Sequence, residues 1–266
     1  MNPRDYLEIL HVAERLKDTT RHCTTSKRRH ESVAEHSWRV SLMAFLLRDE
    51  FPDIDIDRVV DMCLIHDLGE CFTGDIPAFL KTDSDRETED SLLNDWVRNL
   101  PENVSKNMEK LYKEMDAQVT KEAKLYKALD KLEALIQHNE SPIDTWSENE
   151  YELNKTYAFD EVAFSKWLSD LRSEILNDTL EKIDNEKTDI SDLLDNIDRL
   201  HSTKMGIERI KKNLELNVDV VEFCRQKIMS KSALVKKAGK NWYVETADCI
   251  ITVNAKSYTI ITAHRK

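Results

Sequence analysis

Only four glycines and five prolines punctuate this chain of 266 residues. Average usage would supply roughly three times as many. A sheet-rich fold turns every few residues and draws its turns heavily from these two types. Such a chain cannot turn that often, so its fold class is mainly α, built on long helices. Apolar residues make up 40% of it, too many for global disorder. The length admits one or two domains, each able to bury a core.

Apolar spacing follows the helical period through residue 183 and beyond. Asn2-Pro3 reads as an N-cap with proline at the first helical position, opening a helix with Leu7, Leu10, Val12 and Ala13 on one side. Helices are expected over 32–51, 57–68, 84–99, 102–115, 120–139 and 160–183. The charged stretch 178–191 reads as a solvated helix end or a linker, which puts a domain boundary near 185. The expected domains are 1–184 and 185–266. In the second, helices over 203–215 and 219–230 precede three β-rich runs, Asn241–Thr246, Cys249–Asn254 and Tyr258–Ala263. Short polar turns separate the runs, so a small α+β domain ending in a three-stranded antiparallel meander is expected.

Charge and cysteine usage narrow the function. Fifty-one acidic against 39 basic residues give a net charge of −12. That disfavours broad binding to nucleic acid or an anionic membrane, but not a small anion held by a local cation or metal. No apolar run reaches about 18 residues, so no membrane span is expected. The opening Met1-Asn2-Pro3-Arg4-Asp5 lacks a secretory layout. Five cysteines without CxxC spacing fit a reduced protein, and a cytoplasmic location is expected.

Chemistry concentrates in four segments. They are Arg21; Glu35-His36-Ser37; His66-Asp67-Leu68-Gly69-Glu70 with Thr73-Gly74-Asp75-Ile76-Pro77; and Asp130 between Leu129 and Leu132. His66-Asp67 ends a strongly apolar run, with Gly69 supplying the break, and ionisable groups leaving such a run need partners. Taken singly, each His or Asp is more simply a satisfied structural residue, and Asp130 an exposed border residue. Together, two His and two Asp on three core helices form a mixed N/O set suited to a borderline divalent metal: Mn, Co, Fe, Ni or Zn. Glu70 lies one turn beyond His66, on the same side if the helix continues. His138, two turns beyond Asp130, reads as surface or packing. The basic run Lys27-Arg28-Arg29-His30 reads as a solvated loop.

The order His … His-Asp … Asp resembles the HD-domain metal-dependent phosphohydrolases. The extended string from Arg21 through Pro77 resembles their bacterial 5′-deoxynucleotidase branch, and the likeness covers residues 1–175. It implies an HD helical bundle in which His36, His66, Asp67 and Asp130 bind one divalent metal. It implies Glu70 as the carboxylate that handles a proton, Arg21 as the phosphate-orienting group, and Asp75 with Ile76, Pro77 and Ala78 on the sugar side. His36, Asp67 and Asp130 would touch the substrate through the metal site. His22 stands where that branch carries a tryptophan against the deoxyribose. The expected activity is phosphate removal from deoxynucleoside 5′-monophosphates, with a homodimer as the expected assembly. The alternatives are an HD hydrolase of nucleoside triphosphates or signalling nucleotides, and a non-catalytic nucleotide-binding regulator.

Residues 195–266 resemble a small family of unknown function, through Leu200-His201-Ser202-Thr203, the run 206–214 and the ending from Gly239 to His264. A helical segment followed by a meander is compatible with a small metal-independent ribonuclease, with His201, Arg209, Lys212, Thr262 and His264 as candidates. A local basic excess would suit a polyanion. A binding or dimerisation module is the favoured reading.

Overall fold

The structure is a computed structural model; it describes residues 1–77, 80–230 and 233–266, and of residues 187–189 the backbone alone. The chain divides into two compact units, Met1–Thr179 and Leu180–Lys266. In order, the first unit holds α1 (Pro3–Ala13), β1 (Thr20–Thr24), β2 (His30–Ser32), α2 (Val33–Leu46), α3 (Ile56–Ile65), α4 (Glu70–Thr73), α5 (Asp83–Arg98), α6 (Glu102–Ala117), α7 (Lys121–Glu140), α8 (Glu148–Thr156) and α9 (Phe159–Val162). Helix α10 (Lys166–Asp195) begins in it and ends in the second unit, which continues with α11 (Lys204–Leu214), α12 (Val220–Ile228), β3 (Leu234–Ala238), β4 (Asn241–Glu245), β5 (Cys249–Asn254) and β6 (Ile260–Arg265).

Local chemistry explains the helix starts. Asn2 accepts hydrogen bonds from the N–H groups of Arg4 and Asp5, and Ser32 and Thr82 close capping boxes with Glu35 and Asp85. The core of the first unit forms where α2, α3 and α7 pack, through Val40, Ala44, Val59, Met62, Leu125, Ala128, Leu129 and Leu132. A second cluster, with Val33, Leu68, Cys71, Leu93, Val97 and Met108, fills the space towards α4, α5 and α6. All five cysteines are free and buried, as a reduced chain requires. Among the described residues, no helix is long and apolar enough to cross a membrane.

Three expectations are corrected. The C-terminal sheet is four-stranded, in the antiparallel order β3-β4-β5-β6, rather than a three-stranded meander. The strand that was missed, Leu-Val-Lys-Lys-Ala, pairs on one side only and is largely exposed, so it carries lysines in place of an apolar alternation. Of the two readings of the charged stretch 178–191, the helix end holds and the linker is corrected: it lies within α10, because its Glu and Lys residues are good helix formers and no Gly or Pro interrupts them. Finally, β1 and β2 form a two-stranded sheet where the sequence shows no alternation. Arg28 and Arg29 at its turn pair with Asp144 and Glu35 instead of standing free.

In the second unit, Leu193, Ile210, Cys224, Trp242, Ile251 and Val253 form a separate core. His201 bridges to Thr259, while His264 pairs with Ile250 five residues further along the chain. That separation is roughly 16 Å of extended backbone. Of the candidate ribonuclease residues, His201 and His264 therefore do not meet.

Candidate metal centre and active-site cavity

Two helices and the end of a third bring the four predicted ligands together. His36 lies one turn into α2, His66 caps the C-terminus of α3 with Asp67 following, and Asp130 sits midway along α7. The Nε2 atoms of His36 and His66 face each other at 3.2 Å. Asp130 Oδ1 lies 3.2 Å from the first and 3.6 Å from the second. Asp67 Oδ2 lies 3.1 Å from His66 Nε2 and 3.7 Å from His36 Nε2.

These separations fit an ion. Ligand atoms about 2.0–2.2 Å from a tetrahedral or octahedral metal lie roughly 2.8–3.6 Å apart. The opposite nitrogens strengthen the fit. His66 Nδ1–H donates to the Cys63 carbonyl at 2.8 Å, and His36 Nδ1–H donates to the Glu133 carboxylate. Each neutral ring therefore turns an Nε2 lone pair towards the other ring and towards two carboxylates. Only a cation or added protons relieve that concentration of negative charge. Such outer hydrogen bonds are the usual way a metal-binding imidazole is oriented.

Around this centre opens a cavity of about 510 Å³. Its wall includes Arg21, His22, His36, Asp67, Glu70, Asp75, Ile76, Pro77 and Asp130. Of the residues singled out from sequence, only Ala78 lies outside the described residues. Glu70 opens α4 and is buried, with its Oε2 making no hydrogen bond. Burial first, then the charges of Asp67 and Asp75, push its carboxyl up to about 9. Burial also raises the Asp75 carboxyl. Arg21 projects from β1 between Glu31 and Glu133, at 3.7 Å from each.

Gly69 works differently from the sequence reading. Its φ is −58°, so it is no left-handed helix stop. A Cβ there would lie 2.8 Å from Glu89 Cγ on α5. The glycine thus permits close approach of Glu89, which holds Lys81 Nζ at 2.6 Å. The left-handed position is Gly74, at φ +78°, just before Asp75.

Sequence reasoning missed the supporting shell. Glu133, one turn after Asp130, is fully buried and lies against His36, Arg39 and Arg21. A charged residue inside the apolar stripe of α7 was the available signal. Lys127 holds Asp130 Oδ2 at 2.8 Å. Lys81, Arg86 and Lys131 add positive charge to the cavity wall. His138 is not on the surface: it is buried, lines the cavity and approaches Glu150.

Known proteins share this arrangement of helices. Residues 13–172 match the HD domain family, and residues 194–264 match a family described as a protein of unknown function (DUF3781). The human 5′-deoxynucleotidase HDDC2 is 32% identical over 141 residues, which cover 52% of this chain and 68% of the human protein. A protein described as a predicted metal-dependent phosphohydrolase from Magnetospirillum magnetotacticum MS-1 superposes with a TM-score of 0.57 at 26% identity, covering 67% of this chain and 95% of that one. An HD-domain phosphohydrolase from Listeria innocua gives 0.52 at 26% identity, covering 66% and 90%. With the predicted His and Asp residues brought together beside one cavity and residues 13–172 matching the family, the chain belongs to the HD domain family.

Proposed function

We propose that this protein is a metal-dependent phosphohydrolase that removes phosphate from deoxynucleoside 5′-monophosphates. One observation carries the reading: His36, Asp67 and Asp130 line a cavity that also holds Glu70 and Arg21, with His66 against them just behind the wall. The human relative's own activity points the same way. The four converging residues would hold one divalent ion of the Mn, Co, Fe, Ni or Zn class. When bound, that ion supplies a Lewis acid for a phosphoryl oxygen and lowers the pKa of a water.

The chain's own residues do the rest. Arg21, fixed between two carboxylates, offers a planar guanidinium to the phosphate. Glu70 holds a proton on an otherwise unpartnered carboxylate oxygen and can exchange it with the attacking water or the leaving 5′-oxygen. Asp75, Ile76 and Pro77 form the wall we assign to the sugar, with the smaller imidazole of His22 where the resembling branch carries an indole. Glu70 also weighs against a pure binding protein, which needs no proton carrier. We assign this activity to a domain spanning 1–184 and read 185–266 as a binding module. The test is phosphate release from deoxynucleoside mono- and triphosphates with each candidate metal. Release from monophosphates is the expected result; pyrophosphate or triphosphate release from triphosphates alone refutes the substrate assignment.

A further inference from the structure

The cavity holds a second cluster of metal-ligand type. We propose that His22, His138 and Glu150 form a second divalent-metal site, separate from the one made by the HD residues. His22 comes from β1, His138 from the last turn of α7 and Glu150 from the first turn of α8. Glu150 Oε1 lies 3.2 Å from His22 Nε2 and 3.1 Å from His138 Nε2, and the three atoms fall within 4.8 Å of one another. The two separations from Glu150 are ligand–ligand spacings for an ion of the zinc or iron class.

Two of the three donors are held from behind. Glu150 Oε2 accepts the Ser147 backbone N–H in a capping box, which leaves Oε1 for the imidazoles. His138 Nδ1–H donates to Asn154 Oδ1 at 2.8 Å, so Nε2 of the neutral ring carries a lone pair. That Nε2 is buried and makes no aligned hydrogen bond, although a carboxylate oxygen is close. Without an ion, a hydrogen bond from His138 Nε2 to Glu150 would need a second proton on a ring whose Nδ1–H already goes to Asn154, with the His22 ring centroid 5.6 Å away. A divalent ion satisfies all three donors with both rings neutral. Two His and one carboxylate form the donor set of both catalytic zinc sites and non-haem Fe(II) sites, which keep open positions. His22 and His138 both line the cavity, so an open position would face it.

Metal stoichiometry tests the site without reference to activity. The full chain is stripped with chelator, reloaded with Zn²⁺, desalted and measured by elemental analysis; Co²⁺ loading gives a visible spectrum for each site. Two equivalents are expected in the native chain, one in Asp67→Ala and one in Glu150→Gln. Gln keeps the capping box, so this variant keeps the start of α8. His22→Gln, at a half-exposed position, should also drop to one and guards against a folding defect in the first variant. One equivalent that survives Asp67→Ala and is lost in His22→Gln supports this site while refuting the HD ligand assignment. A single native equivalent that disappears in Asp67→Ala overturns the proposal, as do two equivalents retained in both Glu150→Gln and His22→Gln.

Discussion

The fully buried carboxylate of Glu133 bonds His36 through Nδ1, on the side of the ring opposite Asp130. The bond fixes the tautomer and aims Nε2 at the metal position. Arg39 and Arg21 flank the same carboxylate and offset the cost of burying its charge. Glu133 is therefore an orienting residue whose effect is read through His36.

Glu133→Gln preserves shape but weakens the acceptor for His36. Loss of an outer hydrogen bond of this kind typically costs about 10–100-fold in metal affinity. The Zn²⁺ affinity of the HD site is expected to fall by that order, measured by competition with a chromophoric chelator. Unchanged affinity would mean that packing alone orients the ring.

At Glu70, the isosteric change to Gln removes the titrating proton and leaves the cavity intact. A turnover drop of about 10²–10⁴-fold is expected with the metal content of the HD site preserved. Asp67→Ala should instead lose both the metal of the HD site and turnover. Near-native turnover in Glu70→Gln would show that the carboxylate only ends a helix.

Gly69→Ala would place a methyl against Glu89 Cγ. The backbone there is ordinary, so the strain lies in the side chain of Glu89, and a loss of about 1–3 kcal/mol is expected from overpacking. Glu89→Ala clears the space. The double variant should then be more stable than the sum of the two single losses, a coupling that denaturant unfolding can measure. Additive losses would place the strain elsewhere.

Acid sensitivity should come in part from Glu114. Its carboxylate accepts from Arg58 and from Thr120 Oγ1, joining α3, α6 and the turn into α7. The hydrogen bond from Arg58 leads the causes that hold its pKa below the ordinary value of 4.5. A depressed folded value means the stabilisation is complete above the unfolded pKa of about 4.3 and is lost as pH falls through the folded value. Between pH 6 and pH 3.5 the native chain should lose more urea resistance than Glu114→Gln. Parallel losses in the two proteins would remove Glu114 from the account.

Periodicity and composition alone determined the helical class and the order of the long helices, because burying one face of a helix writes a 3.6-residue repeat into the chain. The candidate ligands were legible only as a set: singly each His or Asp reads as a structural residue, and it is two His and two Asp on three core helices that suit a divalent metal. The tertiary structure decided what distant segments do to each other. It brought Glu133 behind His36, turned His138 from apparent packing into a cavity wall, and set Glu89 against Gly69. Glu133 left only the trace of a charge inside the apolar stripe of α7, and its partners, like those of His138 and Gly69, come from separate elements whose meeting depends on how the helices cross. The edge strand β3 and the β1–β2 pair escaped notice for another reason. Their stability comes from pairing with a neighbour rather than from their own alternation, so a one-dimensional pattern holds no trace of them.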